Sequence, residues 1–215
     1  MVNGKFSFLL TIYHLTFTVK VMNQEEVLQH FREADALLEG HFILSSGLHS
    51  STYLQCALAL QYPPDAAKFA RAIAEKLDGE NFDTVASPAI GGLIIGCETA
   101  RALNLRFIWT ERQEGVMTLR RGFTIKPNEK ILVVEDVITT GGSTRECIAA
   151  LEVHGAKVTG AASIIDRSGG AADVGVPRIA LASLEVPSYK PESCPMCAKG
   201  EIAVKPGSRH VVKDS

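Results

Sequence analysis

A chain of 215 residues can bury one sizeable core and is too short for two large independent domains. With 46% hydrophobic residues, 21% charged residues and a formal net charge of −2, the composition is that of an ordinary globular protein. It carries no charge excess that would recruit nucleic acid or a membrane surface, so any anion site has to be assembled locally.

Residues 1–21 contain an apolar stretch, Phe6 to Val19, which Tyr13, His14 and several threonines interrupt. It is too short to span a bilayer, and no small-residue cleavage pattern follows it. Met22 then opens a plausible soluble start, with Asn23 as a helix cap and Glu25 and Glu26 in the first turn. Residues 1–21 therefore read as an upstream start-site extension; a genuine β-rich extension is the rival reading. A protein beginning at Met22 is expected to fold and work like the full chain.

Gly40 to Tyr53, rich in glycine and serine, reads as a small hood lobe over the rest, spanning mainly residues 40–55. An amphipathic helix follows at Asp65–Leu77. From Asp83 onward short apolar strands alternate with amphipathic helices, the pattern of a parallel sheet flanked by helices in an α/β fold. The predicted strands are Thr84–Ser87, Arg106–Trp109, Ile131–Glu135, Thr159–Ile165 and Ile179–Leu184, with crossover helices at Gly92–Leu103 and Gly142–His154. Such sheets bind ligands beyond the carboxyl ends of their strands, which directs attention to the loops after Ser87, Trp109, Glu135 and Ile165. The main domain is expected over residues 22–186, and 187–215 as an irregular appendage packed on it.

Ile131 to Thr144, ILVVEDVITTGGST, places a buried strand, two adjacent carboxylates, a loop of glycines and hydroxyls and a helix start in series. Gly141 and Gly142 let the backbone approach a phosphate, and Thr139, Thr140, Ser143 and Thr144 add hydroxyl donors beside the free amides of the helix. Glu135 and Asp136 are acceptors suited to two vicinal sugar hydroxyls. Together these features describe a ribose phosphate site. No lysine follows the glycines, which excludes the triphosphatase loop, and no GxGxxG follows a strand.

VVEDVITTGGST resembles the ribose-phosphate signature of the type I phosphoribosyltransferases, and the resemblance extends over about Asn23 to Gly207. GHFILSSGLHSSTYLQ is similar to the hood of the orotate phosphoribosyltransferases, Ser87 to Gly92 to their pyrophosphate loop, Thr110 to Phe123 to their mobile catalytic loop, and Ile164 to Gly170 to the segment whose arginine lies at the orotate. The tail resembles that of a bacterial branch typified by Thermus enzymes. The resemblance implies the type I phosphoribosyltransferase fold, a central parallel sheet flanked by helices with a small hood lobe. It also implies transfer of ribose 5-phosphate from 5-phosphoribosyl-1-pyrophosphate (PRPP) to orotate, giving orotidine 5′-monophosphate in pyrimidine biosynthesis.

Mapped onto this chain, the resemblance implies catalytic roles for Arg112, Asp136 and Glu135. The donor would be bound by Ser87, Ala89, Arg112, Glu135, Asp136, Val137, Thr139, Thr140, Gly141, Gly142, Ser143 and Thr144, and orotate by Ser45, Ser46, Thr139 and Arg167. Mg²⁺ is the implied cofactor, held through substrate and water with no direct protein ligand, and the implied assembly is a cytoplasmic homodimer with shared active sites. Ser45 and Gly91 stand where the enterobacterial pattern has lysines, and the loop lacks that pattern's lysines and histidine. Arg112, Arg120 and Arg121 are the candidate replacement cations for the developing pyrophosphate charge. For Arg120 and Arg121 the bland alternative is a solvated hairpin, and for Arg167 a salt bridge to Asp166 or another surface acid.

Two other functions fit parts of the sequence. One is a phosphoribosyltransferase for a different base. The other is a PRPP-sensing regulator, which the lack of a basic recognition helix before the hood disfavours. The five cysteines, Cys56, Cys97, Cys147, Cys194 and Cys197, are odd in number and lack the spacing of a secreted disulfide framework, consistent with a reducing compartment. Cys194 and Cys197 form a lone CxxC, for which reduced thiols are the simpler reading and a zinc site completed by His210 and a partner chain the alternative. His49 reads as a surface residue of the hood.

Overall fold

The computed structural model describes residues 22–206 apart from Ser45. The extension 1–21, the orotate candidate Ser45 and the zinc candidate His210 lie outside the described residues. Helix α1 (Gln24–Glu33) begins where the sequence places its cap. Asn23 Oδ1 accepts from the Glu26 amide at 3.0 Å and the Glu26 carboxylate accepts from the Asn23 amide at 2.9 Å. This reciprocal box satisfies two donors that a helix start leaves unpaired.

The hood is more regular than its glycine and serine content suggests. Strands β1 (Leu37–Ile43) and β2 (His49–Leu54) form an antiparallel hairpin, with Leu37 opposite Leu54 and Ile43 opposite His49. Short helix α2 (Cys56–Leu60) leads into α3 (Pro63–Lys76), whose prolines sit in the first turn, where no amide partner is needed.

The remaining elements build the sheet: β3 (Thr84–Pro88), α4 (Gly92–Leu103), β4 (Arg106–Gln113), β5 (Val116–Leu119), β6 (Lys130–Ile138), α5 (Gly142–Glu152), β7 (Lys157–Asp166) and β8 (Arg178–Ser183). Strand order is β5-β4-β3-β6-β7-β8, parallel throughout except for β5 against β4. Every predicted strand is present, with ends shifted by a few residues. The largest shift is in β4, which runs past Trp109 to Gln113 and folds back as β5. Glu114 and Gly115, at φ 52° and 84°, make the tight turn between them. Two positive-φ residues in a two-residue loop match the twist of paired strands.

The buried run of β6 feeds two cores. Leu132 and Val134 pack with Phe31, Phe69, Ile73 and Ile95, while Ile131 and Val133 pack with Ile108, Cys147, Ile148 and Leu151 on the opposite face. Side chains alternate across a strand, so a central strand covered on both faces reads as continuously apolar. From β3 the chain winds outward to β4 and then returns to β6 on the other side of β3. The crevice where that order reverses lies between the loops after β3 and β6.

The tail returns to the hood. Strand β9 (Ser188–Tyr189) pairs with β2, Val204 bridges to Phe42, and the short helix α6 (Pro195–Ala198) lies between them in sequence. Among the described residues no helix is long and apolar enough to cross a membrane.

Candidate active site

The reversal point brings the two glycine-bearing loops together. Glu135 and Asp136 end the buried part of β6 and project to opposite faces. A Cβ on Gly91 would lie 2.8 Å from Asp136 Oδ1, and one on Gly92 would lie 2.9 Å from the Val134 carbonyl oxygen and 3.3 Å from Glu135 Oε2. A side chain at either position would therefore crowd the carboxylate pair. Ser87 is fully buried and its hydroxyl donates to the Val134 carbonyl at 2.7 Å, which ties β3 to β6. The Ala89 amide donates to the Thr110 carbonyl at 2.7 Å, and the Ala89–Ile90 peptide is cis.

Burial, reinforced by the Asp136 charge, pushes the Glu135 carboxyl up to about 9. Burial also raises Asp136, although the Val137 amide, donating to Oδ1 at 2.9 Å, opposes the shift. Among the described residues neither carboxylate pairs with a lysine or arginine. The Cys56 thiol at the start of α2 lies against Asp136, and burial together with that charge holds the thiol well above its usual range. Two desolvated carboxylates without a cation of their own form a site that favours hydroxyl donors or a hard cation.

After β6, Thr139 and Thr140 are exposed, and Gly141 turns into α5 at φ 75°. Gly141 could not be another residue, since its Cβ would also meet Val174 Cγ1 at 2.9 Å. Helix geometry leaves the amides of Gly142, Ser143 and Thr144 without intrahelical acceptors, and no side chain caps them. Ser143 is exposed beside them, whereas Thr144 is 2% exposed. Arg145 locks the loop by donating to the Thr140 carbonyl at 3.0 Å and to the Asp173 carbonyl. This is an anion cradle built from backbone amides and hydroxyls, with Arg145 fastening it from behind.

Beside the cradle opens a cleft of about 760 Å³, lined by Thr139, Thr140 and Arg167 from the sheet and by Ser46, Tyr53 and Gln55 from the hood. Lys205 of the tail completes the lining. Arg167 follows β7, its amide bonded to the Ile138 carbonyl at 2.8 Å, and its Nε is buried without a hydrogen-bond partner among the described residues. The neighbouring acid is committed elsewhere. Asp166 accepts from the Ser168 amide at 2.8 Å, the Ser168 hydroxyl at 2.6 Å, the Gly170 amide at 3.0 Å and Arg178 at 3.0 Å. Burial works to raise the Asp166 carboxyl, but Ser168 and Arg178 outweigh it and hold the group below its usual range. The salt bridge expected as Arg167's bland alternative is therefore made by Arg178, and Arg167 faces the cleft with unused donors.

Arg112 stands apart from this cluster. It lies on the β4–β5 hairpin, donates to the Gly115 carbonyl at 2.8 Å and pairs with Glu146 on α5. Arg121 makes a two-pronged bond to Glu111 at 2.7 and 2.9 Å, with Arg120 at 3.8 Å from the same acid. Within one chain the structure brings none of the three arginines against Glu135 and Asp136.

The hood reading needs one correction. His49 is 8% exposed and faces inward: its Nδ1 lies 2.7 Å from His41 Nε2 and 3.2 Å from Cys197 Sγ. The CxxC is not a lone pair of thiols, because two histidines of the hood converge on it within the same chain. Sequence reasoning also missed Tyr53, Gln55, Cys56, Arg145 and Lys205. Of these, Arg145 had a readable signal, as the first cation after a hydroxyl-glycine helix start.

The fold and this constellation define a phosphoribosyl transfer site. The family model for the phosphoribosyl transferase domain matches residues 60–179. An orotate phosphoribosyltransferase of Pelotomaculum thermopropionicum is 50% identical over 190 residues, covering 88% of this chain and 100% of the relative. One of Rhizorhabdus wittichii is 53% identical over 194 residues, covering 89% and 99%. Among solved structures, the orotate phosphoribosyltransferase of Aeropyrum pernix superposes with a TM-score of 0.61 at 23% identity, covering 74% of this chain and 93% of the other, and so shares the fold. The chain belongs to the phosphoribosyltransferase family, within the branch of the orotate phosphoribosyltransferases.

Proposed function

We propose that this protein transfers ribose 5-phosphate from PRPP to N1 of orotate, releasing pyrophosphate and orotidine 5′-monophosphate. The observation that carries the reading is the cleft between cradle and hood, where the buried Nε of Arg167 has no partner among the described residues. A half-buried guanidinium at a cleft wall, with its Nε unpartnered, calls for a planar anion, and the orotate carboxylate meets its fork. The 50% identical relatives named for this activity support the assignment.

The cradle of Thr139 to Thr144 holds the 5′-phosphate, and Glu135 and Asp136 accept from the ribose hydroxyls. In the free protein Glu135 keeps its proton at neutral pH, and ligand donors favour its ionised form. The C1–oxygen bond to pyrophosphate breaks, the pair leaving on oxygen, as N1 bonds to C1 with inversion and gives up its proton to solvent. The protein's share is positioning and charge management. Mg²⁺ bound with the donor would neutralise pyrophosphate charge; the unpaired Glu135 and Asp136 would hold it through waters and sugar hydroxyls.

The working unit in this reading is a cytoplasmic homodimer. Val116 on the edge strand and Val153 at the end of α5 are 66% and 84% exposed. They line one groove with Glu146, the partner of Arg112. A neighbouring chain seated there would receive Arg112 at its own donor site.

The test is a steady-state assay with orotate, uracil, adenine and hypoxanthine, alongside Asp136→Asn. Turnover with orotate alone, and its severe loss in the variant, is the expected result. Preference for another base would overturn the acceptor. Variant activity within about threefold of wild type would overturn the role of Asp136, since a charged hydrogen bond is worth more than that factor.

A further inference from the structure

We propose that His41, His49, Cys194 and Cys197 bind a structural zinc ion that fastens the C-terminal tail to the hood. The four side chains present one ligand atom each, and all four atoms lie within 4.8 Å of one another. Cys194 Sγ is 3.5 Å and Cys197 Sγ 3.7 Å from His41 Nε2, and Cys197 Sγ is 3.2 Å from His49 Nδ1. Zinc bonds of about 2.0–2.1 Å to nitrogen and 2.3 Å to sulfur give tetrahedral ligand edges of about 3.3–3.8 Å. The observed separations bracket that range, with the two imidazoles closest at 2.7 Å.

The hairpin explains how the histidines meet. Ile43 is opposite His49, and the irregularity in β1 between Glu39 and Phe42 falls at His41, whose ring meets that of His49 across the hairpin. The thiols come from more than 150 residues further on, at the turn into α6. His41 is also oriented for a metal. Its Nδ1 lies 2.9 Å from the Glu201 carbonyl, which only accepts, so Nδ1 carries the proton and the Nε2 lone pair faces the cluster. His41, His49 and Cys194 are buried at 5%, 8% and 3% exposure, and Cys197 closes the cluster from the exposed side. Two thiolates with two imidazoles and no open position is the donor set of a structural zinc site, and soft sulfur disfavours magnesium or calcium.

Such a clasp has a definite mechanical effect. On one side of the cluster β9 adds to β2; on the other, the Val204 amide donates to the His41 carbonyl and the Ile43 amide to the Val204 carbonyl, both at 2.8 Å. The next residue is Lys205, which lines the acceptor cleft. Zinc thereby holds one wall of that cleft in place while touching no substrate.

The full-length protein, purified without chelator or added metal, is expected to contain one zinc ion per chain by elemental mass spectrometry. Replacement by Co²⁺ is expected to give the intense visible bands of a tetrahedral site and a thiolate charge-transfer band. Cys197→Ser and His49→Ala should lose the metal and melt at lower temperature. If either fails to fold, the wild-type cobalt spectrum decides. Wild-type protein that takes up no stoichiometric zinc after incubation with Zn²⁺ and dialysis would overturn the proposal, as would a cobalt spectrum without sulfur charge transfer. Metal content is read independently of the orotate assignment. If that assignment also holds, zinc removal should raise the orotate KM several-fold more than the PRPP KM.

Discussion

Glu135→Gln is expected to make the protein harder to unfold in alkaline solution while it abolishes turnover. The Glu135 carboxyl is 6% exposed, and burial with the adjacent Asp136 charge raises it from 4.5 to about 9. An unfolded chain ionises this group near its ordinary value, so between the two values the folded state keeps a proton that the unfolded state has released. The folded state then binds more protons, and stability falls as pH rises. The contribution is complete below the unfolded value and gone above the folded one. One proton is worth at most about 1.4 kcal/mol per pH unit, so from roughly pH 6 to 8 the loss reaches up to about 2.7 kcal/mol. Glutamine keeps the shape and removes the titration. Urea unfolding of both proteins across that interval gives the difference, in which the histidines cancel. The variant should gain on wild type with every step upward in pH. Parallel curves for the two proteins would refute the claim that Glu135 is a desolvated, protonated acid in the free protein.

Three further outcomes are expected. Arg167→Ala should raise the orotate KM about tenfold or more, the worth of one charged hydrogen bond, with the PRPP KM within about twofold of wild type; equal shifts in both would place Arg167 outside the acceptor site. Gly91→Ala should cut kcat/KM for PRPP by about tenfold while the circular dichroism spectrum stays unchanged, because the new methyl would meet Asp136 Oδ1 at 2.8 Å; unchanged kinetics would show the loop to be compliant. Arg112→Ala and Asp136→Asn should each be nearly inactive, yet recover roughly a quarter of wild-type activity when mixed and allowed to exchange subunits. Mixed dimers that form, as shown by tagged co-purification, without recovery would confine Arg112 to its own chain.

The proposed donor half of the site is readable because it is contiguous: strand, carboxylates, loop and helix start follow one another from Ile131 to Thr144, and each local preference agrees with the fold. The reach of β4 past Trp109 was not, since Thr110 to Leu119 carries charges typical of a loop, and only the Glu114–Gly115 turn shows its hairpin. The proposed acceptor half was legible only in part. The resemblance singled out Ser46, Thr139 and Arg167, but Tyr53, Gln55 and Lys205 join them only through tertiary pairing, and nothing local announces that a tail strand will dock on the hood. His41 and His49 show the same blindness: each is unremarkable on its strand, and only the hairpin register and a tail contact spanning more than 150 residues turn them towards the cysteines. Two histidines flanking a glycine-bearing hairpin turn, taken with a distant CxxC, was the signal to weigh.

The division of the cleft between hood and tail has a consequence for how the protein matures on the ribosome. Everything that cradles phosphate is complete once Arg145 and its contact at Asp173 have emerged, whereas Lys205 joins the cleft only when the late tail has left the exit tunnel and paired with β1. Domains acquire structure from the N-terminal side during synthesis. On the proposed reading, a nascent chain therefore carries every residue of its donor site before the last wall of its acceptor site has been made.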